Sequence, residues 1–273
     1  MRHVTTWIGA VIIAFAVIVA LIGPSLVAAD PFTQNLAARL QPPFWLDGSM
    51  MHPFGTDQLG RDYLARLVYG ARISLLIGVC AALASGLIGT TIGILGGFFG
   101  GWVDELVMFV ITCRLSIPLI LVALALVSAI GSSLTIVVLT LGLLLWERFA
   151  VVARTTTMQI RGLDYIAAAR AAGASLPHLL LREVLPNIAP ALVVVATLEV
   201  ALAILLEAVL SFLGLGVPSP LPSWGLMIAE GKDYMFFEPW VIMVPGVALF
   251  TLVLGVNLLG DGLRDLLGAK RDV

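Results

Sequence analysis

The stretch RGLDYIAAARAAGASLPHLLLREVLPN, residues 161–187, is the one sizeable polar island in the second half of an otherwise apolar chain. It reads as two short helices. Asp164 is placed to cap the first, because its carboxylate can accept the orphan N–H groups of Tyr165 to Ala167. The Ala-rich run 165–172 favours helix, and Gly173 supplies the left-handed residue that ends it. Ser175 is placed to cap a second helix with Pro177 in its first turn, and Leu185-Pro186-Asn187 is expected to stop it. An exposed helix of about two turns, carrying small side chains with Arg170, Arg182 and Glu183 nearby, suits docking into a groove of another protein. It does not suit chemistry.

Around this island the solvent is lipid. The 273 residues are 60% hydrophobic and only 12% charged, and the mean hydropathy is +1.07. No soluble domain of this size carries that balance. A formal net charge of −2 leaves no nucleic-acid footprint. Cys80 and Cys113 both fall inside apolar runs, which suits small buried hydrophobes better than a disulfide or a metal pair. The expected fold is therefore all-α and polytopic, with about six transmembrane helices.

The runs are expected at 7–29, 73–97, 107–130, 134–152, 190–212 and 239–259. The first follows Arg2 and His3 and ends in Val27-Ala28-Ala29, like a signal peptide. Its length is that of a retained span with the N-terminus inside. In the second run Gly89, Gly93, Gly97 and Gly101 recur on one helical face and allow close helix packing. In the third, Arg114 is expected to snorkel to the headgroups and Pro118 to kink the helix. Glu147 and Arg148 are expected at the cytoplasmic edge of the fourth.

Two acids fall inside the fifth run, where they are costly and so are candidates for a pore or substrate path. Counting about 1.5 Å per residue from Pro190 puts Glu199 near the midplane and Glu207 nearer the outer face. Glu199 is expected either to face the pore and receive a cationic group, or to sit hydrogen-bonded between helices. Residues 1–70 divide off as a first span plus an extracytoplasmic segment, leaving 71–273 as the core with the 161–187 loop. In that segment, GTDQLGRD places Gly55 and Gly60 at tight turns and Thr56 or Asp57 at a helix start. Asp57, Arg61 and Asp62 are expected to tie the loop down, with contact to solute or to a binding protein as alternatives. Residues 211–231 are too rich in Gly and Pro to span and read as an outer or re-entrant loop.

Residues 164–187 resemble the cytoplasmic "EAA" loop of the membrane subunits of bacterial ABC importers. Ala168 and Ala169 match the family's two alanines, Gly173 its glycine, and Leu185 and Pro186 its ending; Ala167 stands where the family has Glu. The block from Gly55 to Leu75, the string SFLGLGV…PSWG and the close NLLGDGLRD are similar to the dipeptide/oligopeptide/nickel branch, so the resemblance covers roughly residues 50–270. The resemblance implies a type I importer permease that forms half of a pore, with a second and different permease chain as partner. Of two ATPase subunits, one would dock on this loop, at Asp164, Tyr165, Ala167, Ala168, Ala169, Arg170, Gly173, Ala174, Ser175, Arg182, Leu185 and Pro186. An extracytoplasmic solute-binding protein would deliver the cargo. Peptides are the expected solute, with nickel chelates and glutathione as alternatives within the branch.

The chain has no G-x-x-x-x-G-K-[ST] loop, so ATP and Mg belong to the partners and no cofactor is expected here. His3, His52 and His178 stand in separate polar segments, and no metal site is expected. A membrane enzyme lacks a catalytic set. An ion-coupled secondary transporter could recruit Glu199, Glu207 and Arg114 but leaves the EAA-like loop without a purpose. With the chain in the bacterial inner membrane and both termini expected in the cytoplasm, Arg154, Arg161, Arg170, Arg182, Arg264, Lys270 and Arg271 are cytoplasmic. Arg39, Arg61, Arg66, Arg72 and Lys232 are then outside, a modest positive-inside bias.

Overall fold

The computed structural model describes residues 2–268; Lys270 and Arg271 lie outside the described residues. Five helices are long and apolar enough to cross a membrane, and a bent pair makes up to six. The first is α1, Arg2–Leu26. An irregular segment with two single 3₁₀ turns, Leu36–Ala38 and Phe44–Leu46, leads to α2, Tyr63–Phe99. Asp62 caps α2 by accepting the Ala65 N–H at 2.7 Å. Its 37 residues extend about 55 Å and run unbroken through position 70, so α2 passes the full height of the molecule.

Gly100 (φ +67°) and Gly101 (φ +53°) end α2 and turn the chain. Next come α3 (Gly101–Leu115) and α4 (Leu119–Ile130), bent by 81° to each other across the break 116–118, which Pro118 closes. The bend is sharper than the kink expected from Pro118 alone. The following span is α5 (Leu134–Leu144) plus α6 (Glu147–Arg161), interrupted at Leu145 and Trp146. The polar island then gives α7 (Asp164–Ala171) and a single turn, α8 (Leu176–His178). A π-helical stretch, 179–184, follows and runs straight into α9, Leu185–Phe212.

Leu185-Pro186 therefore does not stop a helix. Proline lacks an N–H, but Pro186 stands in the first turn of the α-register, just after the ladder changes from π spacing. Beyond α9, Gly214 (φ +81°) turns the chain toward α10 (Trp224–Gly231), which Ser223 caps through the Leu226 N–H at 3.0 Å. The last described element is α11, Trp240–Gly268.

Close packing rests on small residues. A Cβ at Gly89, Gly93 or Gly97 would strike the carbonyl oxygen of Trp146, Ala150 or Arg154, so the glycine face of α2 lies directly on the backbone of α6. Both rows advance by four residues, which keeps the helices in contact for two turns. Gly101, expected to continue the stripe, has no neighbour there because the chain has already turned away. Gly9 on α1 meets the backbone of Gly255 and Leu259, and Gly23 meets Val68 near the start of α2. The beginning of α1 and the end of α11 thus lie together, at the opposite end from the start of α2.

Candidate functional site

The polar island sits at one end of α2. Ile166 is buried with Phe98, Ile160, Leu179, Val184 and Ile188, and this core holds α7 in place. Ala169 and Ala174 pack on its edge, while Ala167, Ala168, Ala171, Ala172 and Gly173 are exposed. One face of α7 is therefore anchored, and the other offers mainly methyl groups and backbone, with Asp164 and Tyr165 exposed at its start. Asp164 is exposed and begins the helix without capping it; Leu163 takes the cap position. Its carboxylate still lies in the first turn, where a negative charge is favoured.

Gly173 is left-handed (φ +84°), and the Ala174 N–H donates to the Ala169 carbonyl at 3.0 Å. Ser175 occupies the next cap position but makes no side-chain bond there. Arg170 folds back over the Phe98 ring, 5.3 Å from its centroid, rather than projecting outward. The Tyr165 hydroxyl accepts from Asn187 Nδ2 at 3.2 Å. Burial, and then the charge of Glu183, holds that phenol above its ordinary pKa. Arg182 and Pro186 are exposed and Leu185 is half-buried.

At the far end of α2 the GTDQLGRD block is a closed cluster. Gly55 (φ +77°) and Gly60 (φ +71°) make its turns, and the Asp57 N–H donates to the Arg61 carbonyl at 3.0 Å. The Thr56 hydroxyl donates to the Ala38 carbonyl and accepts the Gln41 N–H at 2.9 Å. The Asp57 carboxylate accepts from Arg61 Nε at 2.5 Å and from Arg66 Nη1. Both arginines also reach Glu230 on α10, at 3.2 and 2.8 Å. Two buried cations are thus matched by two acids, with Asp62 paired to His52 at 2.9 Å beside them. The arrangement ties the segment to α10. Sequence reading found Asp57, Arg61 and Asp62 but missed Arg66 and Glu230 as members.

A third polar cluster lies inside the spans. Arg114, at the end of α3, donates to the Leu144 carbonyl, the last of α5, and stands 3.7 Å from Glu147. A cation thus meets the C-terminus of α5 and an acid the N-terminus of α6, as the helix dipoles favour. The Arg148 guanidinium lies 3.3 Å from Glu199 on α9. Glu147 is 13 residues from Leu134, and Glu199 is 13 residues from Phe212. At about 1.5 Å per residue both lie roughly 20 Å inside the spans. Arg114, Glu147 and Arg148 are therefore not at the membrane edge as expected. They are held in mid-span by one another and by Glu199.

Arg114, Glu147, Arg148, Pro118, Leu202 and Leu206 border a cavity of about 420 Å³. Glu199 itself is 1% exposed, so what meets open space is Arg148 and not the acid. Glu207 is closed off altogether: it is fully buried, and Ser211 and Ser223 both donate to its Oε1 at 2.7 Å. A Cβ on Gly225 would come within 2.8 Å of its other oxygen. Where a solute path was expected, Glu207 bolts α9 to α10, because Ser211 of α9, Ser223 at the α10 cap and Gly225 of α10 close over it.

Known proteins are similar to this chain in sequence. Residues 1–43 match the family described as the N-terminal TM domain of oligopeptide transport permease C. The dipeptide transport system permease protein DppC of Alkalihalophilus pseudofirmus is 36% identical over 263 residues, covering 96% of this chain and 85% of that protein. The di/tripeptide transport system permease protein DppC of Pseudomonas aeruginosa is 39% identical, covering 96% and 87%. The glutathione transport system permease protein GsiD of Pectobacterium atrosepticum is 40% identical over 222 residues, covering 81% and 74%. The fold is similar to a chain of the inward-facing MetNI methionine ABC transporter, with a TM-score of 0.61 at 20% identity over 74% of this chain and 96% of that one. Residues 89–273 match the binding-protein-dependent transport system inner membrane component; the chain belongs to that family, as a multi-pass permease subunit of an ABC importer.

Proposed function

We propose that this permease forms half of the translocation path of a peptide importer and receives its driving motion through α7. Relatives that match nearly the whole chain bear the names of dipeptide and di/tripeptide permeases, which supports peptides as the solute class. The glutathione relative widens that class to a tripeptide. The observation that carries the coupling role is the exposed face of Ala167, Ala168, Ala171, Ala172 and Gly173 on a helix fixed from behind by Ile166. Methyl groups and bare backbone allow another chain to approach closely at little entropic cost.

In this reading two ATPase subunits carry the ATP and Mg, and one docks on α7 from the cytoplasm. A second, different permease completes the pore, and a soluble binding protein presents the peptide on the other side. Pushing α7 moves α6 and the 176–212 helix together, since all three share one core. Ala168→Asp places a charge in the docking face without touching that core. We expect ATP-dependent uptake of dialanine by membrane vesicles to fall at least tenfold while the chain accumulates normally. Uptake at the wild-type rate would refute the docking role. The permease reading itself is tested by whether wild-type vesicles take up dialanine only when ATP is supplied.

A further inference from the structure

The mid-span charges are balanced in number but unequal in exposure. The Glu199 side chain is 1% exposed and that of Arg148 is 56% exposed. Both Glu199 carboxylate oxygens lack a hydrogen-bond partner, so the guanidinium 3.3 Å away is what balances the acid. A guanidinium carries five N–H donors in a planar fork. Only Nη1 is given to Glu199, while the side chain also borders the 420 Å³ cavity.

Pulling Arg148 away would leave a lone buried charge, so the arginine is held in place while its free donors stay available. Arg114 and Glu147, on the same cavity, are engaged with each other and with the end of α5. Leu202, Leu206 and Pro118 give the remaining wall an apolar character. The cavity thus offers one open cation beside an apolar surface.

We propose that Arg148 contacts the solute in transit and receives its carboxylate through the free edge of the guanidinium, with Glu199 as the positioning residue behind it. A planar fork binds a carboxylate with two parallel hydrogen bonds, which an ammonium cannot reproduce. The class of ligand is a small carboxylate-bearing solute whose apolar part lies on Leu202 and Leu206. This rests on the importer reading above and reverses the sign of the group expected from Glu199 alone.

The test uses the complete transporter in liposomes, with labelled dialanine as the probe and two readouts: solute imported and ATP hydrolysed in response to binding protein. Arg148→Gln combined with Glu199→Gln removes both charges together, so the pair stays net neutral and neither residue is left as a lone buried charge. We expect dialanine imported per ATP to fall at least tenfold, with stimulated ATP hydrolysis and complex yield unchanged. A pair with a merely structural role would leave that ratio at the wild-type value, and such a result overturns the assignment. Should the double variant fail to assemble, Arg148→Lys decides: it keeps the charge and the pairing but loses the fork. A several-fold drop in the ratio supports the proposal, and an unchanged ratio overturns it. Absence of ATP-dependent uptake in the wild-type liposomes would bring down the importer reading as well, whereas failure of the variants alone leaves that reading standing.

Discussion

Asp57 is a single carboxylate asked to balance two buried guanidiniums, with only Glu230 to share the task. Replacing it by Asn keeps the shape and removes the charge, which strands a buried cation. Losing one partner of a buried charge pair costs roughly 3–5 kcal/mol. Asp57→Asn should therefore lower the melting temperature of the detergent-purified complex and reduce its yield. Asp47→Asn is the control. Asp47 is exposed and left-handed (φ 64°), a conformation Asn also adopts, so no loss is expected. Equal melting of both variants and wild type would mean that the cluster does not hold the segment. The string GTDQLGRD made Asp57 and Arg61 legible as a tied-down loop, because glycines and charges stand so close together. Glu230 was not legible, since it lies 169 residues from Arg61 and only the packing of α10 brings it near. The pairing of Arg148 with Glu199 escaped for the same reason: the two stand 51 positions apart in the sequence and meet only when α6 packs on α9.

Among the elements, α2 and α6 define how tightly the spans approach. Gly93 faces the Ala150 carbonyl so closely that any Cβ forces the helices apart. Gly93→Val should abolish accumulation of the protein, measured by membrane immunoblot. Gly246, inside α11, has no atom within 4 Å of its would-be Cβ. Gly246→Ala should be tolerated, and it favours the helix by up to about 1 kcal/mol. Normal accumulation of Gly93→Val would remove the close approach as an organising contact. Hydropathy and glycine spacing made these elements legible, since both are local patterns of period 3.6 or of simple length. The interruptions were not. A charged pair at the end of an apolar run, Glu147-Arg148, reads locally as a membrane edge. It sits in mid-span because Arg114 and Glu199 arrive from other helices to neutralise it. The proline at 186 misled in the opposite direction: a change of helical register upstream accommodates it without a break.

At the scale of the whole molecule, the number of crossings decides which surfaces meet ATP. The bent pair α3–α4 starts beside the Phe98 end of α2. It finishes near Ser132, whose hydroxyl donates to the Gly216 carbonyl in the loop after α9. That loop leads to Trp224, which donates to the Leu67 carbonyl at the other end of α2. The bent pair therefore carries the chain from one end of the molecule to the other and counts as a crossing, giving six. An even count places the start of α1, the end of α11 and the α7 loop on one side, and the 30–62 segment on the other. Positive charge near the α7 loop, at Arg154, Arg161, Arg170 and Arg182, favours the cytoplasm for that side. Single cysteines test the arrangement after Cys80 and Cys113, both exposed on span faces, are changed to Ala. Ser49 and Ser175 are exposed at opposite ends. On intact spheroplasts, a membrane-impermeant maleimide should label Ser49→Cys at once and Ser175→Cys only after permeabilisation. Labelling of both before permeabilisation would break the six-crossing arrangement. The reverse order would keep the crossings but invert the molecule, placing α7 where no ATPase can reach it.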